Sequence, residues 1–174
     1  MKKTIQAIAL ITTMFTTSVS ASSYEVQYVM ASKKNGVPVQ VLRAIALTES
    51  GITLSDDSYK PWPFTLNWRK KEYRFNTKEK ACTELKKILK VSRAVDIGMT
   101  QLHWKYHDEF VGDACDYFDA EVAIPRTAVV LKKCYKNHKN WVLAAGCYHR
   151  PAGGELAKEY MKKFAKKLET ITAK

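Results

Sequence analysis

Segments with helical periodicity fill most of this chain, and they constrain its fold more than any other feature of the sequence. In each segment apolar side chains recur every three or four residues, which is typical of helices that bury one face. Glycine or proline lies at several of the boundaries, as expected where helices begin and end. The predicted helices cover residues 22–36, 38–49, 77–89, 102–110, 122–135, 141–148 and 155–170.

The stretch between the second and third helices has a different pattern. Pro61 and Pro63 interrupt any helix there. Two short aromatic and β-branched segments follow, at 64–68 and 72–75, with a basic stretch between them. This arrangement predicts a β-hairpin. No internal repeat is present, so we expect one domain over residues 22–174, mostly α and of α+β type, with one small hairpin.

The first 21 residues have the pattern of a secretory signal peptide. Lys2 and Lys3 precede a short apolar stretch at 5–15, and small residues lead up to Ala21. The apolar stretch is shorter than the roughly 20 residues that a membrane-spanning helix needs. We therefore expect cleavage after Ala21 and a soluble exported protein with no later membrane span, the alternative being an uncleaved N-terminal anchor.

The chain is strongly basic, with a formal charge of +12 that falls by two when Lys2 and Lys3 leave with the signal. A basic exported protein is expected to have a polyanionic partner. In a bacterial envelope this favours cell-wall polymers or anionic lipid, and it disfavours nucleic acid.

The four cysteines are an even set in a chain predicted to be exported, which favours two disulfides. Three pairings are possible. We favour Cys115 with Cys134, because that bridge would tie a loop to the helix that follows it, which leaves Cys82 with Cys147. No CxxC spacing is present, so a structural zinc site is disfavoured.

One carboxylate has an unusual place in the pattern. Glu49 continues the apolar stripe of Leu42, Ile45 and Ala46 at i, i+3, i+4 and i+7, and so falls on the buried side at the end of its helix. Burial disfavours the charged form, and the negative end of the helix dipole acts in the same direction. We therefore expect a carboxylic acid that keeps its proton near neutral pH, as a general acid must.

Four motifs resemble, in their order, the lytic transglycosylases of the goose-lysozyme-like group. That family has Glu-Ser-x at a helix end, Gly-Leu-Met-Gln, Ala-Tyr-Asn-Ala-Gly and a late tyrosine. The corresponding stretches here are Glu49-Ser50-Gly51, Gly98-Met99-Thr100-Gln101, Cys147-Tyr148-His149 and Tyr160. The segment 62–67 is also similar to a Pro-Trp-Thr-Leu-Asn segment in one branch. The small members that accompany secretion, pilus and conjugation machines are the most similar.

The resemblance implies a lysozyme-like helical bundle around a cleft, and periplasmic cleavage of the bond between N-acetylmuramic acid and N-acetylglucosamine in peptidoglycan. Glu49 matches the catalytic acid, which also takes a proton from the muramic C6 hydroxyl as it closes a 1,6-anhydro ring. No cofactor is implied, and the partners are glycan strands and components of such a machine. The residues expected to bind substrate are Ser50, Gly98, Met99, Gln101, Tyr148, His149 and Tyr160.

The chain departs from the family pattern near these residues. Thr100 stands where methionine is usual, His149 replaces asparagine, and Arg150-Pro151 replaces Ala-Gly. Cys147 precedes Tyr148 where alanine is common. These differences leave open which groups around Tyr148 contact the sugar, but they do not affect Glu49.

Three alternatives remain from the sequence. A hydrolytic muramidase would need a second carboxylate, for which Asp56, Asp57 and Asp96 are candidates. A zinc enzyme could use histidines, but the pair at i, i+4 lacks the adjacent glutamate of a zincin. A non-catalytic wall-binding module would use the basic final helix. The histidines that could serve as ligands are His103, His107 and His149.

Overall fold

The computed structural model describes residues 22–173, and these form a mainly helical α+β fold, as predicted. The predicted signal peptide lies outside the described residues. Short 3₁₀ helices occupy Asp108–Phe110 and Ala114–Phe118. The α-helices are α1 (Ser22–Asn35), α2 (Val39–Ser50), α3 (Lys78–Leu89), α4 (Trp104–His107), α5 (Ala120–His138), α6 (Trp141–His149) and α7 (Glu155–Thr172).

Two small antiparallel sheets lie beside the helices. Strands β1 (Gly51–Thr53) and β2 (Tyr59–Pro61) pair with each other. The second sheet has the order β4-β3-β5-β6. Its strands are β3 (Thr65–Trp68), β4 (Lys71–Arg74), β5 (Asp96–Ile97) and β6 (Leu102–His103).

The predicted hairpin is confirmed as β3 and β4. Its turn residues Arg69 and Lys70 both have positive φ, as the two-residue turn that suits twisted strands requires. The predicted helix at 102–110 is wrong at its start, because Leu102 and His103 pair with β5 and only Trp104–His107 is α-helical. A two-residue strand is too short to produce a period of two in the sequence.

The apolar side chains form two buried clusters. The helical cluster belongs to α1, α2, α5, α6 and α7 and includes Leu42, Ile45 and Phe164. The sheet cluster joins β3, α3, β5 and the segment 114–118. Tyr148 packs against both clusters, so it marks the boundary between them.

The disulfide pairing differs from the predicted one. Cys82 is bonded to Cys115, and Cys134 to Cys147, with Cα atoms 5.4 and 5.9 Å apart. The predicted Cys115–Cys134 and Cys82–Cys147 bridges are wrong, because α3 packs on the segment 114–118 while α5 packs on α6. Each bridge therefore joins two cysteines that are consecutive in the chain.

No helix within residues 22–173 is both long enough and apolar enough to cross a bilayer. Two disulfides are what a chain that matures in an oxidising compartment is expected to carry.

Candidate active site

A cleft of about 790 Å³ lies where the two clusters meet. The helical side contributes the ends of α2 and α6, and the opposite side comes from the hairpin, β5, β6 and α4. Its lining combines acidic, basic and aromatic side chains. Residues on the helical side are Thr48, Glu49, Gly51, Tyr148, His149 and Arg150; those on the sheet side include Asn67, Lys70, Glu72, Arg74, Asp96, Gln101, His103 and His107.

Glu49 lies in the last turn of α2 on the cleft wall, and its side chain is only 9% exposed. The stripe residues Leu42, Ile45 and Ala46 are fully buried, as the periodicity predicts. Burial is the main cause that raises the pKa of Glu49, and the negative charge of Asp96 acts in the same direction. The carboxyl group is thus held toward its protonated form.

His149 is the nearest basic group to that carboxyl. Its Nδ1 lies 3.6 Å from Oε1 of Glu49, and its side chain is 42% exposed at the mouth of the cleft. The close approach of His149 acts against burial, since it lowers the pKa of Glu49. The raised pKa shows that burial is the stronger effect.

Tyr160, from α7, is buried next to Glu49. Desolvation, and after it the Glu49 carboxyl group, raises the pKa of the phenol, and the phenol in turn lowers the pKa of Glu49. However, no group in the described part of the chain lies in hydrogen-bonding geometry with the Tyr160 hydroxyl oxygen. We interpret the pair as a close polar contact rather than a formed hydrogen bond.

Ser50 and Met99 are buried behind the cleft wall rather than on its surface. The Ser50 hydroxyl lies 2.7 Å from the carbonyl oxygen of Met99 and 3.1 Å from that of Ala46, either of which can accept its proton. This bond joins the end of α2 to the segment after β5. In this structure both residues position the wall on which Glu49 lies.

Gly98 and Gln101 form the tight turn between β5 and β6. Gly98 has φ +76°, and a Cβ there would lie 2.2 Å from the carbonyl oxygen of Tyr117, so only glycine fits. Gln101 also has positive φ, and its side-chain amide nitrogen donates to the Gly98 carbonyl at 2.9 Å. Gln101 also lines the cleft, and the oxygen of its side-chain amide remains able to accept a hydrogen bond.

Tyr148 connects the two sides of the site. Its hydroxyl donates to the carbonyl oxygen of Thr100 at 2.6 Å and lies 3.4 Å from the Thr127 hydroxyl. Burial and the charge of Glu49 raise its pKa, so the phenol stays neutral. The structure thus brings Glu49, Gln101, Tyr148, His149 and Tyr160 together, with Gly98 shaping the turn.

The sequence did not identify the whole sheet-side wall. Asp96 accepts a hydrogen bond from Nδ1 of His103 at 2.6 Å, and Arg126 lies 3.0 Å from Nδ1 of His107. The cross-strand pairing that brings Asp96 to His103 depends on the two-residue strands. Asp56 and Asp57 lie in the β1–β2 turn and do not line the cleft.

The histidines do not form a metal site in residues 22–173. The donor atoms of His103, His107 and His149 do not gather within 4.8 Å of one another. The grouping that does so contains Asp113 with Cys82 and Cys115, whose sulfurs are bonded together and are not free thiolates.

Comparison of the chain with protein-family models, with curated proteins and with solved structures finds no match in any of the three. The fold and site by themselves define an α+β protein with a buried carboxyl group of raised pKa on the wall of a cleft lined by acidic, basic and aromatic side chains.

Proposed function

We propose that this protein is a lytic transglycosylase that cleaves the β-1,4 bond between N-acetylmuramic acid and N-acetylglucosamine in peptidoglycan. The observation that carries the proposal is Glu49, a buried carboxyl group with a raised pKa on the wall of a cleft lined by polar and aromatic side chains. The sequence motifs that resemble this family converge on the same cleft. The cleft volume lies within the range usual for ligand pockets.

In the proposed reaction, Glu49 donates its proton to the glycosidic oxygen, and the bond from that oxygen to the muramic C1 breaks. The carboxylate then accepts the proton of the muramic C6 hydroxyl, whose oxygen forms a bond to C1. The products are a 1,6-anhydro end and a free C4 hydroxyl, and no water is consumed. A carboxyl group with a raised pKa suits both proton transfers.

We place this activity in the periplasm, where it would open the wall locally for an envelope-spanning secretion, pilus or conjugation machine. The net positive charge favours association with the anionic wall. The two disulfides are consistent with a periplasmic protein.

A hydrolytic muramidase is the second candidate, because further carboxylates, Asp96 and Glu72, line the same cleft. Asp96 lies on the sheet side and is close enough for its charge to raise the pKa of Glu49. A retaining or inverting glycosidase uses two carboxyl groups. The Asp96 carboxylate is hydrogen-bonded to His103. This contact favours a role for Asp96 in binding the substrate over attack on the sugar.

The test is digestion of purified peptidoglycan followed by mass analysis of the fragments. We expect anhydro-muropeptides from the wild type and none from Glu49→Gln, because removal of a general acid costs about 10²- to 10⁴-fold in rate. Asp56→Asn and Asp57→Asn serve as matched controls outside the cleft and should keep full activity.

Reducing ends in place of anhydro ends, together with an inactive Asp96→Asn variant, would establish the hydrolase instead. A folded Glu49→Gln protein with wild-type turnover would contradict both enzymes. If no fragments form but the protein still binds peptidoglycan, a non-catalytic wall-binding module is the remaining interpretation.

A further inference from the structure

Two histidines on the sheet-side wall of the cleft are held in opposite hydrogen-bonding states. His103 lies at the end of β6 and His107 one helical turn later in α4, and both line the cleft that contains Glu49. Each uses Nδ1 to contact a charged neighbour. Neither Nε2 atom has a hydrogen-bond partner within residues 22–173.

The state of His107 follows from its partner. A guanidinium group only donates hydrogen bonds, so Nδ1 of His107 must accept from Arg126 and the ring proton must be on Nε2. Burial and the charge of Arg126 lower the pKa of His107 to about 4, which keeps the ring neutral. Nε2 of His107 is therefore a hydrogen-bond donor.

Arg126 is itself held in place, which fixes the orientation of His107. Its guanidinium carbon lies 3.2 Å from the centre of the Phe110 ring, a stacked cation–π arrangement. The backbone of His107 is fixed as well, since its carbonyl oxygen accepts from the Tyr117 hydroxyl at 2.8 Å.

The state of His103 is the reverse. The Asp96 carboxylate only accepts hydrogen bonds, so Nδ1 of His103 carries a proton. In the neutral imidazole, Nε2 of His103 is then a hydrogen-bond acceptor. With His103 neutral, the two cleft histidines present one donor and one acceptor, and a secondary amide presents the complementary carbonyl oxygen and N–H group.

We propose that His103 and His107 form a binding site for a secondary amide group of the glycan substrate, with His107 donating to the carbonyl oxygen and His103 accepting from the N–H. The proposal rests on the proposed function, because it names the group that the same cleft recognises. Gln101 does not compete for the donor role, because its side-chain amide nitrogen already donates to the Gly98 carbonyl oxygen. The amide comes either from the acetamido group of the sugars or from the link between muramic acid and its peptide.

The test uses the Glu49→Gln protein, in which the probes are not consumed, and measures their binding by calorimetry. The probes are a hexamer of β-1,4-linked N-acetylglucosamine, the corresponding glucose hexamer, which has no amide, and a disaccharide that carries a tetrapeptide. Each histidine is changed separately to leucine. His107→Gln keeps a donor, and His138→Leu is the matched control, on an exposed histidine at the end of α5 outside the cleft.

We expect His103→Leu and His107→Leu to weaken binding of the N-acetylglucosamine hexamer by about three- to tenfold, the worth of one hydrogen bond. The glucose hexamer should bind equally to all variants, and His107→Gln should recover most of the loss. If only the peptide-bearing disaccharide loses affinity, the amide is the peptide link, and the proposal stands for that source.

Unchanged binding of both amide probes would overturn the proposal, as would an equal loss of the glucose hexamer or a parent protein that binds none of the probes. Thermal melts of each variant exclude loss of the fold as the cause. Because binding is measured without turnover, a wild type that releases no anhydro product would contradict the proposed function while the isotherms still report on the two histidines.

Discussion

The imidazole of His149 lies flat on the phenol of Tyr160, with ring centroids 4.2 Å apart and ring planes only 6° apart. The stacking fixes the ring although His149 is partly exposed, and it directs Nδ1 toward the Glu49 carboxyl group. Proteins of the family that this sequence resembles have asparagine at this position. The structure therefore gives His149 a specific contact with the acid through a stacked, titratable ring, which asparagine would not reproduce.

We first predict that His149→Asn moves the alkaline limb of the pH profile of kcat/KM to higher pH. His149 lowers the pKa of Glu49, so its removal leaves burial less opposed and Glu49 holds its proton to higher pH. The measurement is the rate of anhydro-muropeptide release between acidic and alkaline pH. His138→Asn, far from the cleft lining, should leave the limb in place. A limb that stays or moves to lower pH would contradict this role.

The second prediction concerns stability and pH in Glu49→Gln. With a raised pKa, folded Glu49 keeps a proton that the unfolded chain loses above its ordinary value of 4.5. The wild type therefore loses stability as pH rises from about 4.5 to the raised pKa, by about 1.4 kcal/mol per pH unit. Glutamine has no such loss, so the melting temperature of the variant should exceed that of the wild type increasingly across this window.

Asp56→Asn provides a control of opposite sign for these melts. Hydrogen bonds from Ser58 lower the pKa of Asp56, so its charged form favours the folded state and its removal should slightly destabilise the protein above that pKa. A constant difference between Glu49→Gln and the wild type at all pH values would show that the Glu49 carboxyl group is not perturbed by folding.

A third prediction separates backbone strain from steric fit in the β5–β6 turn. Gly98→Ala adds both a positive-φ penalty and a clash with the Tyr117 carbonyl oxygen, and should cost about 2–5 kcal/mol. Gly153→Ala has a similar φ of +68° but no atom within 4 Å of the new Cβ, so it should cost only about 1–2 kcal/mol. Chemical denaturation of both variants measures the difference. Equal costs would show that the approach to Tyr117 does not constrain the turn.

The fourth prediction is the disulfide pattern. Peptide mapping without reduction should give Cys82–Cys115 and Cys134–Cys147, which close segments with sequence separations of 33 and 13. From loop closure alone, removal of the longer bridge should cost about 4 kcal/mol and the shorter about 3 kcal/mol. Double cysteine-to-alanine variants of each pair, compared by denaturation, test the order. Detection of a Cys115–Cys134 peptide would contradict the structure.

The features that the sequence predicts well are those set by local pattern. The stripe through Leu42 and Ile45 predicts the buried face of α2 and the position of Glu49, and the segments around Arg69 and Lys70 predict the hairpin. The helix face and the hairpin both depend on residues that are close to each other in the sequence.

The features that the sequence does not predict depend on packing between distant segments. The cysteine pairing follows from which helix faces meet, α5 on α6 and α3 on the segment 114–118. The state of His107 depends on Arg126, which is 19 residues away. The i, i+4 spacing of His103 and His107 is visible in the sequence and allows a shared ligand, but it does not show which chemistry their partners impose.

Because both bridges join consecutive cysteines, each ring of chain closes without enclosing any other cysteine. An oxidase that joins thiols in the order in which they emerge during N-to-C translocation therefore produces the native pattern directly. For the exported protein that we propose, we expect oxidative folding to depend on a thiol oxidase and to be indifferent to a disulfide isomerase.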